Sequence, residues 1–139
     1  MAQHRILLVD DDKDILQIIK LALKTRYEVV TASDGFSGLQ KAQATEPDLI
    51  ILDVRMPKVD GQQLIDAIRH SPKLRSVPVI VITAFAEPED EFYSMQQGVA
   101  AYVAKPFEVE PLVKRIDDLL VNIPVSEKVL SYSDIISME

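Results

Sequence analysis

Short apolar runs alternate with stretches of helical periodicity along this chain. The runs contain few polar residues, which is typical of strands that helices cover on both faces. The intervening stretches place apolar residues three and four positions apart, which predicts amphipathic helices. The predicted strands are Arg5–Val9, Glu28–Ala32, Asp48–Asp53, Val77–Thr83 and Ala100–Ala104, and the predicted helices are Asp14–Thr25, Gly35–Ala44, Asp60–His70, Pro88–Gln97 and Val109–Val121.

This repeated alternation of strand and helix predicts an α/β fold. Because helices connect parallel strands by crossovers, we expect a doubly wound parallel sheet with helices on both faces. Ligands of such sheets bind at the carboxyl ends of the strands, where the strand order reverses. We therefore expect the functional residues at that edge of the sheet.

Polar residues end or follow four of the predicted strands. Asp10 and Asp11 follow the first strand, Asp53 closes the third, Thr83 ends the fourth and Lys105 follows the fifth. Three carboxylates at one edge would repel one another unless a cation neutralises them. Because carboxylate oxygens bind hard cations, the pattern predicts a site for Mg²⁺, Mn²⁺ or Ca²⁺.

An aspartate beside such a cation can also act as a nucleophile toward phosphorus. The Asp53 carboxylate would attack in line and form an aspartyl phosphate. Lys105 and the cation would neutralise the phosphoryl oxygens, and the Thr83 hydroxyl would donate a hydrogen bond. The plainer alternative is that the acidic residues only cap the next helix, and that Thr83 and Lys105 are an ordinary strand residue and a solvated charge.

Composition narrows the class of function. The chain has 139 residues, enough for one domain, and it has no cysteine and two histidines, which excludes disulfides and argues against a zinc site of the usual ligands. The net charge of −7 and the absence of a basic cluster argue against nucleic-acid binding. No apolar run has the length of a membrane span, so we expect a soluble cytoplasmic protein that does not bind a membrane.

Four motifs occur in order within residues 4–121, namely Val9-Asp10-Asp11, Leu52-Asp53-Val54-Arg55-Met56-Pro57 with Asp60-Gly61, Val81-Ile82-Thr83-Ala84, and Lys105-Pro106-Phe107. Together they resemble the receiver domain of two-component response regulators. The resemblance implies a flavodoxin-like (β/α)5 fold with strand order 2-1-3-4-5. It also implies a receiver domain over residues 1–121, and we expect residues 122–139 to be a C-terminal tail or linker without an output domain.

The resemblance also implies a signalling domain rather than an enzyme, with self-catalysed phosphotransfer and autodephosphorylation as its only chemistry. A sensor histidine kinase, a phosphotransfer protein or a small phosphodonor such as acetyl phosphate would phosphorylate Asp53. The ligands of Mg²⁺ (or Mn²⁺) would be Asp10, Asp11, Asp53 and the backbone carbonyl of Arg55.

The same resemblance implies roles for further residues. Thr83, the amide of Ala84 and Lys105 would bind the phosphoryl oxygens. Tyr102 would be the switch aromatic, which turns inward when Thr83 moves toward the phosphate. The Lys105–Pro106 peptide bond would be cis, as is usual in this family.

Two positions would set the rate of dephosphorylation, namely Arg55 and Phe85, which lie two residues after the acceptor and two after the threonine. Both side chains are large, which predicts slow loss of the phosphate. The switched surface would be the fourth helix, fifth strand and fifth helix, roughly Glu89–Leu120. This surface would control a partner or output domain, or would form a homodimer.

The same residues argue against three other classes of protein. A haloacid-dehalogenase-like phosphatase needs an aspartate two residues after its nucleophile, where this chain has Arg55. A flavodoxin-like FMN carrier needs a first loop that binds phosphate, whereas the acidic loop Asp10–Asp14 repels it. An unphosphorylated pseudo-receiver, acting as a protein-interaction module, would lack Asp53, Lys105 or the acidic pair, and all are present.

Overall fold

Strands and helices alternate through a computed structural model that describes residues 3–56, 61–84 and 87–125. Asp60, the first residue of the third predicted helix, lies outside these ranges, as do Pro57, Phe85 and the tail beyond residue 125. The strands are β1 (Arg5–Val9), β2 (Glu28–Ala32), β3 (Leu49–Leu52), β4 (Val79–Thr83) and β5 (Ala101–Ala104), and the helices are α1 (Lys13–Leu23), α2 (Gly35–Thr45), α3 (Gly61–His70), α4 (Pro88–Gln96) and α5 (Val109–Leu120).

The five strands just named pair in one parallel sheet, in the order β2-β1-β3-β4-β5. The predicted fold class and strand order are confirmed. Val9 at the end of β1 lies opposite Leu52 of β3, and Thr83 at the end of β4 lies opposite Ala104 of β5. Because the strands are parallel, the residues that follow these pairs reach the same edge of the sheet.

Two apolar clusters cover the two faces of the sheet. Neighbouring strand residues point to opposite faces, so Leu7 packs with α2 and α3 while Ile6 packs with α1 and α5. Burying one such aliphatic side chain stabilises the fold by about 1.5–3 kcal/mol. The helical residues in these clusters are Ala42, Leu64, Ile65 and Ile68 on one face, and Ile19, Leu23, Leu112, Ile116 and Leu120 on the other.

Strand β4 begins two residues later than predicted from the apolar run. Pro78 has no backbone N–H and cannot donate to a neighbouring strand. Its carbonyl nevertheless accepts a hydrogen bond of 3.0 Å from the amide of Ile50.

Across the residues that the structure describes, no helix has both the length and the apolar character that crossing a membrane requires.

Candidate functional site

The strand register brings Asp10, Asp53 and Lys105 together at the carboxyl edge of the sheet. The Nζ atom of Lys105 lies 2.8 Å from Oδ2 of Asp10 and 2.8 Å from Oδ2 of Asp53. The amide of Asp53 donates to the carbonyl of Val9 at 2.9 Å, which extends the pairing of β1 and β3 into the site. The Asp10 and Asp53 side chains are 6% and 5% exposed and that of Lys105 is 13% exposed, so water screens these charges only weakly.

Backbone amides bind the second oxygen of each buried carboxylate. The amide of Asp12 donates to Oδ1 of Asp10 at 2.9 Å, and the amide of Arg55 donates to Oδ1 of Asp53 at 2.8 Å. Asp12 is also the N-cap residue of α1, so the helix-capping alternative holds for this one acidic residue of the loop. These bonds orient both carboxylates so that their Oδ2 atoms face Lys105.

Asp11 adds a third carboxylate to the site. One oxygen from each of Asp10, Asp11 and Asp53 lies within 4.8 Å of the others. In the described ranges this is the only group of three histidine, cysteine, aspartate or glutamate side chains that could bind a metal. A donor set made only of oxygens suits a hard divalent cation such as Mg²⁺, so the residues fit the predicted metal.

Burial and the close pairing together shift the pKa values of Asp10 and Lys105. Burial raises the pKa of Asp10, and the hydrogen bonds from Lys105 and from the Asp12 amide offset only part of this effect. Burial on its own would lower the pKa of Lys105, but the hydrogen bonds to Asp10 and Asp53 outweigh it, and the pKa is raised overall. Lys105 is therefore held in its cationic form between the two carboxylates.

The neighbouring strands carry the other residues of the predicted switch. Thr83 is the last residue of β4, Ala84 follows it, and Tyr102 lies on β5. Thr83 is fully buried at the end of β4, and Ala84, the next residue, is exposed. The Thr83 carbonyl accepts a hydrogen bond of 2.8 Å from the amide of Lys105. Tyr102 is partly buried with a buried hydroxyl, and it packs against the apolar cluster on the face of α2 and α3.

Of the two positions expected to set the dephosphorylation rate, one lies in the described part of the chain. The side chain of Arg55 is exposed directly after the buried Asp53 and Val54, while Phe85 lies outside the described residues. Directly after β5, the peptide bond between Lys105 and Pro106 is cis.

Gly61 packs against the backbone after β3, a contact that was not predicted. A Cβ atom on Gly61 would lie 2.2 Å from Cα of Val54 and 2.8 Å from the carbonyl oxygen of Asp53. The Gly61 amide donates to the Val54 carbonyl at 3.2 Å, so α3 begins in contact with the site. A signal was present in the sequence, because glycine in the first turn of a predicted helix needs a packing reason.

The sequence matches the response regulator receiver domain over residues 6–117. The transcriptional regulatory protein PrrA of Mycobacterium leprae is 38% identical over 121 residues, which cover 86% of this chain and 51% of that protein. The curated relatives that the chain matches are longer, and the chain spans about half or less of their length.

Solved structures give the same assignment. The chemotaxis protein CheY4 of Vibrio cholerae has a TM-score of 0.79 at 34% identity, with 86% of this chain and 100% of that chain covered. The Mn²⁺-bound response regulator Rcp1 has a TM-score of 0.72 at 27% identity, with 92% and 99% covered. The resemblance seen in the motifs is therefore confirmed, and this chain belongs to the receiver domain family of two-component response regulators, which are signalling domains.

Proposed function

We propose that Asp53 of this chain accepts a phosphoryl group from a sensor histidine kinase or a phosphotransfer protein, and that acetyl phosphate can replace these donors. The observation that carries the proposal is the position of Lys105, with Nζ at 2.8 Å from both Asp10 and Asp53. A lysine between two buried carboxylates supplies the positive charge that an incoming phosphoryl group requires. Accepting a phosphoryl group is general to receiver domains, which supports the same role here.

The two oxygens of Asp53 have different surroundings. Oδ1 accepts the Arg55 amide, which leaves Oδ2, paired with Lys105, to attack phosphorus. The bond from Oδ2 to phosphorus forms as the phosphorus–nitrogen bond of the phosphohistidine breaks. The imidazole leaves with the electron pair of that bond and takes up a proton from water. Lys105 then turns from the carboxylate to the transferred group, since its ammonium is a point charge on a flexible stem.

Asp10, Asp11, Asp53 and the backbone carbonyl of Arg55 would hold Mg²⁺ or Mn²⁺. The cation supplies positive charge to the phosphoryl oxygens when it is bound. The proposal is supported by the three clustered carboxylates and by the relative Rcp1, whose structure is a Mn²⁺-bound form. Because Asp11 is exposed while Asp10 and Asp53 are buried, Asp11 is the carboxylate that can adjust to the cation with least disturbance of the core.

Phosphorylation would switch the surface formed by α4, β5 and α5. The phosphoryl group adds a charge of about −1.5 to −2, so a hydrogen bond from the Thr83 hydroxyl to it exists in only one of the two states. The Ala84 amide and Lys105 would bind the other oxygens. Tyr102 would respond to the movement of Thr83 and alter this surface, which then controls an output domain or partner, or pairs with a second copy.

Intact-mass spectrometry with acetyl phosphate tests the proposal. We expect the wild-type chain to gain one phosphate when Mg²⁺ is present and none in EDTA. Asp53→Asn should gain none, whereas the control Asp118→Asn, which alters a 65% exposed carboxylate on α5, should behave as wild type. A folded wild-type chain that gains no phosphate would favour the pseudo-receiver, and equal gain by Asp53→Asn would assign the acceptor elsewhere.

A further inference from the structure

Helix α4 contributes almost no apolar side chain to the core. Among its described side chains, Ser94 alone is buried. Its large apolar side chains Phe92 and Met95 are 66% and 51% exposed. Helices α3 and α5, in contrast, each bury three large apolar residues. Apolar burial therefore explains the position of α3 and α5, but not that of α4.

Polar contacts from α3 hold α4 in place. The Nε2 atom of Gln62 donates to Oγ of the buried Ser94 at 3.0 Å. The Tyr93 hydroxyl lies 2.7 and 2.8 Å from the two carboxylate oxygens of Asp66. Gln62, Asp66 and Arg69 are four and three positions apart and so form one stripe on α3. We call the contacts of this stripe with residues 93–98 the α3–α4 seam.

Arg69 forms the last contacts of the α3–α4 seam, at the carboxyl end of α4. Its Nε and Nη2 atoms donate to the carbonyls of Gln97 and Gly98, at 2.9 and 3.3 Å. Its Nη1 atom donates to the carbonyls of Arg75 and Val77, at 2.9 and 3.0 Å. A guanidinium at this end of a helix also complements the helix dipole. Arg69 therefore ties the end of α4 to the loop that precedes β4.

The seam also reaches toward the phosphorylation site. Helix α3 starts at Gly61, which lies against the backbone of Asp53 and Val54, and it bonds to α4 through residues 62–69. Hydrogen bonds weaken steeply with distance and angle, so a small shift of α3 or α4 breaks them together. Loss of these bonds would release α4, since few apolar side chains hold it against the core.

We propose that the α3–α4 seam is a latch that sets the fraction of molecules in which α4 is released, and thereby sets how readily the chain responds to phosphorylation. The effect on the response to phosphorylation rests on the proposed function, whereas the effect on the release of α4 does not. An equilibrium that favours the docked state lowers the fraction of molecules competent to respond. Weakening the latch raises that fraction before any phosphate is bound.

Amide hydrogen exchange of the full chain, read by mass spectrometry without a phosphodonor, tests the latch. We expect α4 amides to exchange about tenfold faster in Arg69→Gln, since a hydrogen bond from a charged group is worth at least that ratio. Tyr93→Phe, which removes one hydroxyl, should also raise the exchange rate of the α4 amides. This variant tests the latch if Arg69→Gln does not fold. Lys73→Gln removes an equal charge from an exposed side chain outside the seam and should leave α4 unchanged.

A titration with beryllium fluoride and Mg²⁺, as a phosphoryl analogue, then tests the effect on response. In Arg69→Gln and Tyr93→Phe, we expect the change in α4 amide exchange to reach half its maximum at a lower concentration of beryllium fluoride than in wild type. Unchanged α4 exchange in both variants, or equal acceleration in every helix, would overturn the latch. Exchange without the analogue does not involve Asp53, so failure of phosphorylation would leave the test of the latch intact.

Discussion

The backbone amide of Lys105 donates a hydrogen bond of 2.8 Å to the carbonyl oxygen of Thr83. The two residues proposed to bind the phosphoryl group are therefore joined through the pairing of β4 with β5. Lys105 reaches Asp53 with its side chain while its amide holds the end of β4. Movement of Thr83 toward a phosphate would consequently be transmitted to the strand that carries Tyr102.

Thr83→Ala should separate phosphorylation from the response to it. Asp53 and Lys105 remain in place, so the chain should still gain one phosphate in the intact-mass measurement. The hydroxyl that would bind the phosphoryl oxygen is gone, and the change in amide exchange of α4 and β5 on phosphorylation should disappear. Thr83→Ser keeps the hydroxyl and should respond. A wild-type response in Thr83→Ala would remove Thr83 from the switch.

Lys105→Met should make the fold dependent on a divalent cation. Removing the ammonium leaves Asp10 and Asp53 as neighbouring buried carboxylates, a change expected to cost about 3 kcal/mol of unfolding free energy. Urea unfolding in EDTA should reveal this loss, and Mg²⁺ should restore more stability to the variant than it adds to wild type. Lys114→Met, at a side chain that is 78% exposed, should show neither effect. Equal Mg²⁺ stabilisation of wild type and Lys105→Met would contradict the charge balance inferred for the site.

Gly61→Ala should destabilise the chain and slow its phosphorylation. The new Cβ would meet backbone atoms of Val54 and Asp53 that cannot rotate away, and overpacking of this kind costs about 1–3 kcal/mol. Gly38→Ala is the matched control on α2, since its Cβ would meet side-chain methyl groups of Val9 at 2.9 Å. We expect a smaller stability loss there and an unchanged rate of phosphate gain. Similar effects of both substitutions on that rate would argue against a special role for Gly61.

Stability at high pH should depend on Tyr27. Its hydroxyl donates to Asp117, and burial together with this carboxylate raises the pKa of Tyr27 from 10.0 to about 12. The folded state then keeps a proton that the unfolded state releases, so stability should be full below pH 10 and fall as the pH rises toward 12. Urea unfolding across this range should show the slope in wild type and a shallower one in Tyr27→Phe. Equal slopes in both proteins would show that other groups determine the alkaline transition.

Arg55 and Phe85 should protect the phosphorylated state from water. Arg55→Asn and Phe85→Glu replace large side chains at the proposed rate-setting positions, and we expect each to shorten the lifetime of the phosphate several-fold. The lifetime is followed by intact mass after the phosphodonor is removed. Arg75→Asn, at an exposed position on another loop, controls for the loss of charge. Unchanged lifetimes in both variants would reject the shielding role.

Sequence patterns predicted those parts of the molecule that depend on local order. The apolar runs identified the five strands of the described residues. The parallel arrangement implied that Asp10, Asp53 and Lys105 would meet, because residues after aligned strands share an edge. The start of β4 was placed too early because Val77 and Pro78 continue the apolar run, although a proline cannot donate to the ladder.

Contacts between elements distant in the chain were not predictable in the same way. Gly61 meets Asp53 and Val54 only once α3 has packed on the sheet. Arg69 looks like an ordinary exposed cation near the end of a helix, and no local pattern indicates that it bonds to four carbonyls in two other segments. Such contacts depend on tertiary geometry rather than on periodicity or composition.

Chemical identification of the phosphorylated residue tests the central claim most directly. Borohydride reduces an aspartyl phosphate to homoserine, which peptide mass spectrometry can locate in the chain after treatment with acetyl phosphate and Mg²⁺. We predict homoserine at position 53 in the wild-type chain, and none in Asp53→Asn or without Mg²⁺. Homoserine at Asp10 or Asp11 instead, or its absence from a chain that has gained phosphate, would contradict the account.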